Sequence, residues 1–98
     1  MPEEPKPLPP RRATALRYER GEHAPKVTAT GRGLVADRII AAAQEAGIPV
    51  RSDPALAEAL GALELDADVP EAMWRAVAET LAWAYRVDAR AQPSGRRD

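Results

Sequence analysis

The spacing of apolar residues changes several times along the chain, and each change marks an element. Residues 14–18, TALRY, set Thr14, Leu16 and Tyr18 on one side and Ala15 and Arg17 on the other. That period of two predicts a strand. Residues 19–25, ERGEHAP, contain Gly21 and Pro25 and read as a loop. KVTAT, residues 26–30, predicts a second strand with Val27 and Ala29 on one face. The pair forms a hairpin whose loop is longer than the tightest turn types.

The spacing then becomes helical. In GRGLVADRIIAAAQEAG, Val35, Ile39, Ala42, Ala43 and Ala46 form one stripe, with Asp37, Arg38, Gln44 and Glu45 opposite. Thr30 or one of the glycines Gly31 and Gly33 opens this helix, and Gly47 closes it. IPVR, residues 48–51, is too short for a helix and begins with a β-branched residue, so it predicts a third strand and a βαβ-like unit. Asp53 then caps a short helix with Pro54 in its first position, Leu56 and Leu60 on one side and Gly61 at its end. After an acidic connector, Pro70 opens the last helix, whose stripe is Met73, Trp74, Val77, Leu81, Ala84 and Tyr85. At ~100° per residue, Trp83 falls on the far side of that helix. An apolar arc this wide is either wrapped by the fold on two sides or docks onto something else. The expected fold class is α/β with α+β character: a small central mixed β-sheet of about three strands surrounded by three to four helices.

Composition sets the margins. Residues 1–10 hold five of the ten prolines, which removes donors and fixes φ. Residues 1–12 therefore read as a disordered, proline-rich arm, residues 13–88 as the domain, and residues 89–98 as a flexible basic tail. The core must rest on small aliphatic residues, because the chain has no Phe, two Trp and two Tyr. The absence of Cys excludes disulfides, thiol catalysis and thiolate zinc sites. No apolar run approaches the ~20 residues of a membrane span, and the amino terminus has no secretory signal; the expectation is a cytoplasmic domain without direct membrane insertion. Net charge is −1. Three cations against two anions leave +1 in residues 1–12, three against one leave +2 in residues 89–98, and the body carries the compensating −4. A nucleic-acid binder places its basic face on the folded part, so no nucleic-acid partner is expected.

The chemistry-bearing positions are few. The turn Gly31-Arg32-Gly33 stands where a phosphate loop would, but it matches neither GxGxxG nor a Walker A sequence. Its structural reading is a tight strand-to-helix turn. Its functional reading, kept as the alternative, is a small anion- or nucleotide-sensing regulatory domain using Gly31–Gly33 with Arg32. His23 is the one histidine, and Ser52 and Ser94 are the two serines. A triad of Ser52, His23 and Asp53 is formally possible, but an exposed loop histidine is the simpler account. Glu64, Asp66, Asp68 and Glu71 lack EF-hand spacing and read as a solvated connector that favours the next helix start. No catalytic residue, metal site or cofactor is expected.

The ordered set ALRY, APKVTATGRG, AGIPV, DPALAEAL and VAETLAWAY, with its spacing, resembles the cytoplasmic domain of the FlhB/YscU family, the export-gate switch proteins of flagellar and virulence type III secretion. The resemblance spans about residues 13–87 and looks like a short, stand-alone form of that domain. It implies a small central sheet surrounded by helices. In family members the switch cuts itself at an Asn-Pro-Thr-His motif just before the strand that TALRY matches, the Asn side chain attacking its own carbonyl. The matching positions are Leu8, Pro9, Pro10 and Arg11. Leu8 offers no nucleophile, so the expectation is no self-cleavage and no enzymatic activity.

The resemblance further implies a protein-binding component or accessory of the export apparatus, cytoplasmic or peripheral at the gate. Its partners would be export-apparatus proteins, export substrates or chaperones, including the amino-terminal cytoplasmic segment of a membrane-bound homologue. Family members pair the first strand with one from upstream of the cut. The edge bearing Thr14, Leu16 and Tyr18 is therefore the expected partner-binding edge, and Trp83 is a second candidate anchor.

Overall fold

The computed structural model describes residues 11–87. Two strands, β1 (Arg12–Arg17) and β2 (Lys26–Arg32), form an antiparallel hairpin. Helix α1 (Leu34–Glu45) follows directly, then α2 (Pro54–Leu60), a single 3-10 turn (Glu71–Met73) and α3 (Trp74–Val87). The expected mixed α/β character holds, but a three-stranded sheet with a βαβ unit does not.

The third strand is corrected in two ways. IPVR is irregular; Pro49 removes a donor, and Ile48 and Val50 remain exposed with no strand beside them. The sheet is extended instead from the acidic connector. Val27 N–H donates to Ala67 O at 3.2 Å, Asp66 N–H to Val27 O at 2.7 Å and Val69 N–H to Pro25 O at 2.8 Å. A bridge between Lys26 and Asp68 completes this contact, so the outer edge of β2 is covered at its first residues.

A bulge corrects the second strand's faces. Ala15 pairs with Ala29, but Leu16 pairs with Val27, leaving Thr28 as the extra residue. Its hydroxyl donates to the Ala15 carbonyl at 3.3 Å. An inserted residue reverses the side-chain parity beyond it. Val27 therefore turns away from Ala29, onto the face of Leu16, where it is fully buried.

The hairpin separates two layers. One face carries Ala13, Ala15, Ala29 and Gly31, small enough for α1 to lie close. A Cβ built at Gly31 would overlap Val35 of α1. The stripe of α1 is turned by one residue from expectation, since Ala36 is buried and Val35 is exposed. The opposite face carries the main core: Val27, Leu60, Val69 and Val77, with Leu16, Leu56, Leu63, Met73 and Leu81 against them. Asp53 caps α2, its carboxylate accepting from Leu56 N–H at 3.2 Å. Gly33, with φ 58°, is the residue before α1, a backbone setting that suits glycine.

Candidate functional site

The edge of β1 is built from backbone alternation. Gly33 N–H donates to Arg11 O at 2.8 Å, so Arg11 faces β2. In an antiparallel strand the direction of the peptide groups alternates, which turns Ala13 and Ala15 toward β2 and Arg12, Thr14 and Leu16 away from it. Among the described residues, no backbone group pairs with this outward row. Beside it lies a groove of about 1250 Å³. Its walls are the length of β1, the half-buried apolar side of α1 at Ile39, Ile40 and Ala43, the irregular segment 48–53, and α2 and α3.

Three of the residues expected at the edge meet here. Thr14, Leu16 and Tyr18 all line the groove, but with different duties. The Thr14 hydroxyl donates to Ala57 O of α2 at 3.3 Å. Leu16 packs on the core, and Tyr18 is exposed. Trp83 joins the same groove from α3, half-buried, with the Arg51 guanidinium 5.9 Å from its ring centroid. That is cation–π range. Trp83 is thus neither fully core nor freely exposed. Of the degenerate cleavage-motif positions, Leu8, Pro9 and Pro10 lie outside the described residues. Arg11 pairs with Asp37 in the first turn of α1 at 2.7 Å.

A second concavity, missed by the sequence reading, lies past the end of β1. Tyr18, Trp74 and Tyr85 line a cleft of about 450 Å³ with His23, Pro25 and Leu81. The Trp74 indole N–H donates to Val69 O at 2.8 Å, which fixes the ring against the connector. Burial, and secondarily the Tyr18 phenol, push the Tyr85 hydroxyl above its ordinary pKa. The clue in the sequence was that the chain has four aromatic residues; three of them gather here.

The remaining polar groups are explained structurally. Asp68 accepts from Lys26 Nζ at 2.6 Å and contacts His23 Nε2 at 3.1 Å, tying the hairpin loop to the connector. The hydrogen bond from Lys26 holds the Asp68 carboxyl below its ordinary pKa and raises the Lys26 ammonium. His23 lines the aromatic cleft and Ser52 the groove, so the formal triad is divided between two concavities. Arg12 lies over Gly61, where a Cβ would overlap its guanidinium. Its Nε stands 3.2 Å from Glu58 Oε1 without hydrogen-bond geometry; the pair is a Coulombic contact. At the Gly31–Gly33 turn, Asp37 in the first turn of α1 opposes an anion, and Gly33 N–H is already engaged by Arg11. Among the described residues, no group of His, Asp or Glu is placed to hold a metal ion, and no helix is long and apolar enough to cross a membrane.

A helix-flanked hairpin whose concavities are apolar and aromatic, with one strand edge facing the larger of them, defines a small α/β domain of the kind that carries surfaces for other chains. Its relatives narrow the class. Residues 9–84 match the FlhB HrpN YscU SpaS family, and the chain belongs to that family, whose members include export-switch proteins. It is 44% identical over 79 residues to the uncharacterized protein YlqH of Bacillus subtilis, covering 80% of this chain and 85% of that one. It is 40% identical over 77 residues to the flagellar biosynthetic protein FlhB of Escherichia coli, covering 76% of this chain and 20% of that one. Among solved structures, the cytoplasmic domain of FlhB from Shewanella putrefaciens superposes with a TM-score of 0.75 at 33% identity, covering 89% of this chain and 73% of that one. The chain thus spans about a fifth of the full-length flagellar relative and most of YlqH.

Proposed function

We propose that this chain is a non-enzymatic, protein-binding component of a type III export apparatus, working at the cytoplasmic side of the gate by accepting a strand on β1. The supporting observation is the outward row of Arg12, Thr14 and Leu16 beside the apolar groove. An unpaired strand edge is a template for an added strand, with main-chain hydrogen bonds giving affinity and side-chain pockets giving selectivity. The partner of choice is the amino-terminal cytoplasmic segment of a membrane-bound family member, which would supply the strand that self-cleaving relatives carry upstream of their cut. Trp83 and Arg51, on the opposite wall, would grip its side chains. With Leu8 where the family motif has its nucleophilic Asn, the chain binds without cutting itself.

Hydrogen exchange resolved to single amides tests this reading. Added partner segment should protect Thr14 and Leu16, whose amides face outward, and leave Ala13 and Ala15 nearly unchanged because they are already paired. Uniform protection, or none at concentrations where calorimetry detects binding, would place the partner elsewhere.

A further inference from the structure

The groove beside β1 is lined by four arginines, Arg11, Arg12, Arg17 and Arg51, and by two carboxylates, Asp53 and Glu58. Three of the arginines are already matched. Arg11 pairs with Asp37 at 2.7 Å, Arg12 stands 3.2 Å from Glu58, and Arg17 pairs with Glu22 at 3.2 Å. Asp53 is engaged in the α2 cap, where its carboxylate accepts from Leu56 N–H. Arg51 is left over. Among the described residues it makes no ion pair or hydrogen bond. The interaction it does make is with the face of Trp83, its guanidinium carbon 5.9 Å from the ring centroid.

A cation over an aromatic ring is oriented by it but not neutralised. The guanidinium keeps its full charge and its fork of N–H donors, which match a carboxylate two bonds at a time. Contact with Trp83 also restricts the long side chain beforehand, so less rotamer freedom is lost when a partner arrives. Ile48, Pro49 and Val50 before it, and Ala84 after Trp83 on α3, add apolar lining. A segment lying between β1 and this wall therefore meets an apolar surface that carries one unmatched positive charge. A glutamate or aspartate there gains a partner. A lysine or arginine there meets a like charge and is disfavoured.

We infer that Arg51, held over Trp83, selects strands that carry an acidic side chain at the position facing segment 48–53, and rejects strands that carry a basic one there. This selection rests on strand acceptance by β1 and deepens it. The backbone edge supplies affinity for extended chain in general, and Arg51 supplies the choice among chains. Because the choice is electrostatic and the side chain is exposed, it weakens as salt rises.

The test uses the full chain and end-blocked peptides of about eight residues, roughly 27 Å as a strand, long enough to run past the six residues of β1. The peptides alternate valine and serine. One inner position, moved a residue at a time to find the register, holds glutamate, glutamine or lysine. Calorimetry gives the affinity, and hydrogen exchange at the Thr14 and Leu16 amides shows whether the peptide lies on the edge. At the best register glutamate should bind about threefold to fivefold tighter than glutamine, the upper range for an exposed ion pair, with lysine weakest. Arg51→Gln should remove that order and Arg51→Glu should reverse it. Equal affinities for the three peptides, with Thr14 and Leu16 protected, would overturn the selection by Arg51 and leave strand acceptance standing. A glutamate preference that survives Arg51→Gln would overturn it too, because another group reads the charge. No protection at Thr14 and Leu16 with any peptide would remove strand acceptance, and the selection with it.

Discussion

Gly31→Ala should destabilise the protein, and the loss should depend on Val35. Gly31 is in β2 without the positive φ of Gly21, Gly33 or Gly47, so its backbone accepts alanine. On backbone grounds alone the change would stabilise by about 0.4–1 kcal/mol, by restricting the unfolded chain. Space opposes it. The new Cβ would overlap Val35 Cγ1 and stand 2.8 Å from Val35 Cβ, and Ile39 Cδ1 is 3.4 Å away. Rotation of Val35 moves only the Cγ atoms, so α1 must lift from the hairpin. Overpacking of this kind costs about 1–3 kcal/mol, leaving a net loss of about 1–2 kcal/mol, or roughly 4–8 °C in Tm per kcal/mol for a domain of this size. Val35→Ala alone should matter little, within about 0.5 kcal/mol, because Val35 is 53% exposed. In the double variant the Cγ overlap disappears and the 2.8 Å Cβ contact remains, so about 1 kcal/mol should return. Urea denaturation followed by tryptophan fluorescence and by circular dichroism measures all four corners of the cycle. An unchanged stability for Gly31→Ala, or an equal loss with valine or alanine at 35, would refute the close docking of α1.

Other expectations follow from the same contacts. Leu60→Ala, at a position 2% exposed, should cost about 2–5 kcal/mol in the same denaturation assay, whereas Asp53→Ala should cost about 1 kcal/mol through loss of the α2 cap. Trp83→Ala should cost less than the ~3–5 kcal/mol of a fully buried aromatic, since the ring is only partly buried, and should weaken capture of the partner segment in calorimetry. Asp68 has its pKa lowered on folding, first by the Lys26 hydrogen bond. Its contribution is therefore present above the ordinary carboxylate pKa of 3.8 and fades as pH falls through the lower folded value; Asp68→Asn should flatten that acid limb in pH-resolved melts. Ultraviolet titration should show a phenol ionising above 10.0 that is lost in Tyr85→Phe.

The parts of the fold legible in the sequence were those fixed by local chemistry. Asp53-Pro54 and Gly61 marked α2 because a cap and a fixed φ act within one turn. The hairpin and the last helix were legible from their periods. The bulge at Thr28 was not, since one extra residue leaves no trace in alternation, and Val27 was therefore placed on the wrong face. The pairing of β2 with residues 66–69 was hidden for a different reason. It is made by backbone groups from a connector whose side chains read as solvated. In the site, the β1 edge was expected from the family resemblance rather than from any local pattern, and the meeting of Tyr18, Trp74 and Tyr85 depends on how α3 crosses the end of the hairpin, which no local pattern encodes.

The connector segment at 66–69 also biases growth. By pairing with Pro25–Val27 it closes the outer edge of β2 where that strand begins, while the outward row of β1 is open along its length among the described residues. Sheet-mediated filaments need two open margins per subunit. Four residues of connector thus shorten one of the two margins and turn an added strand toward β1.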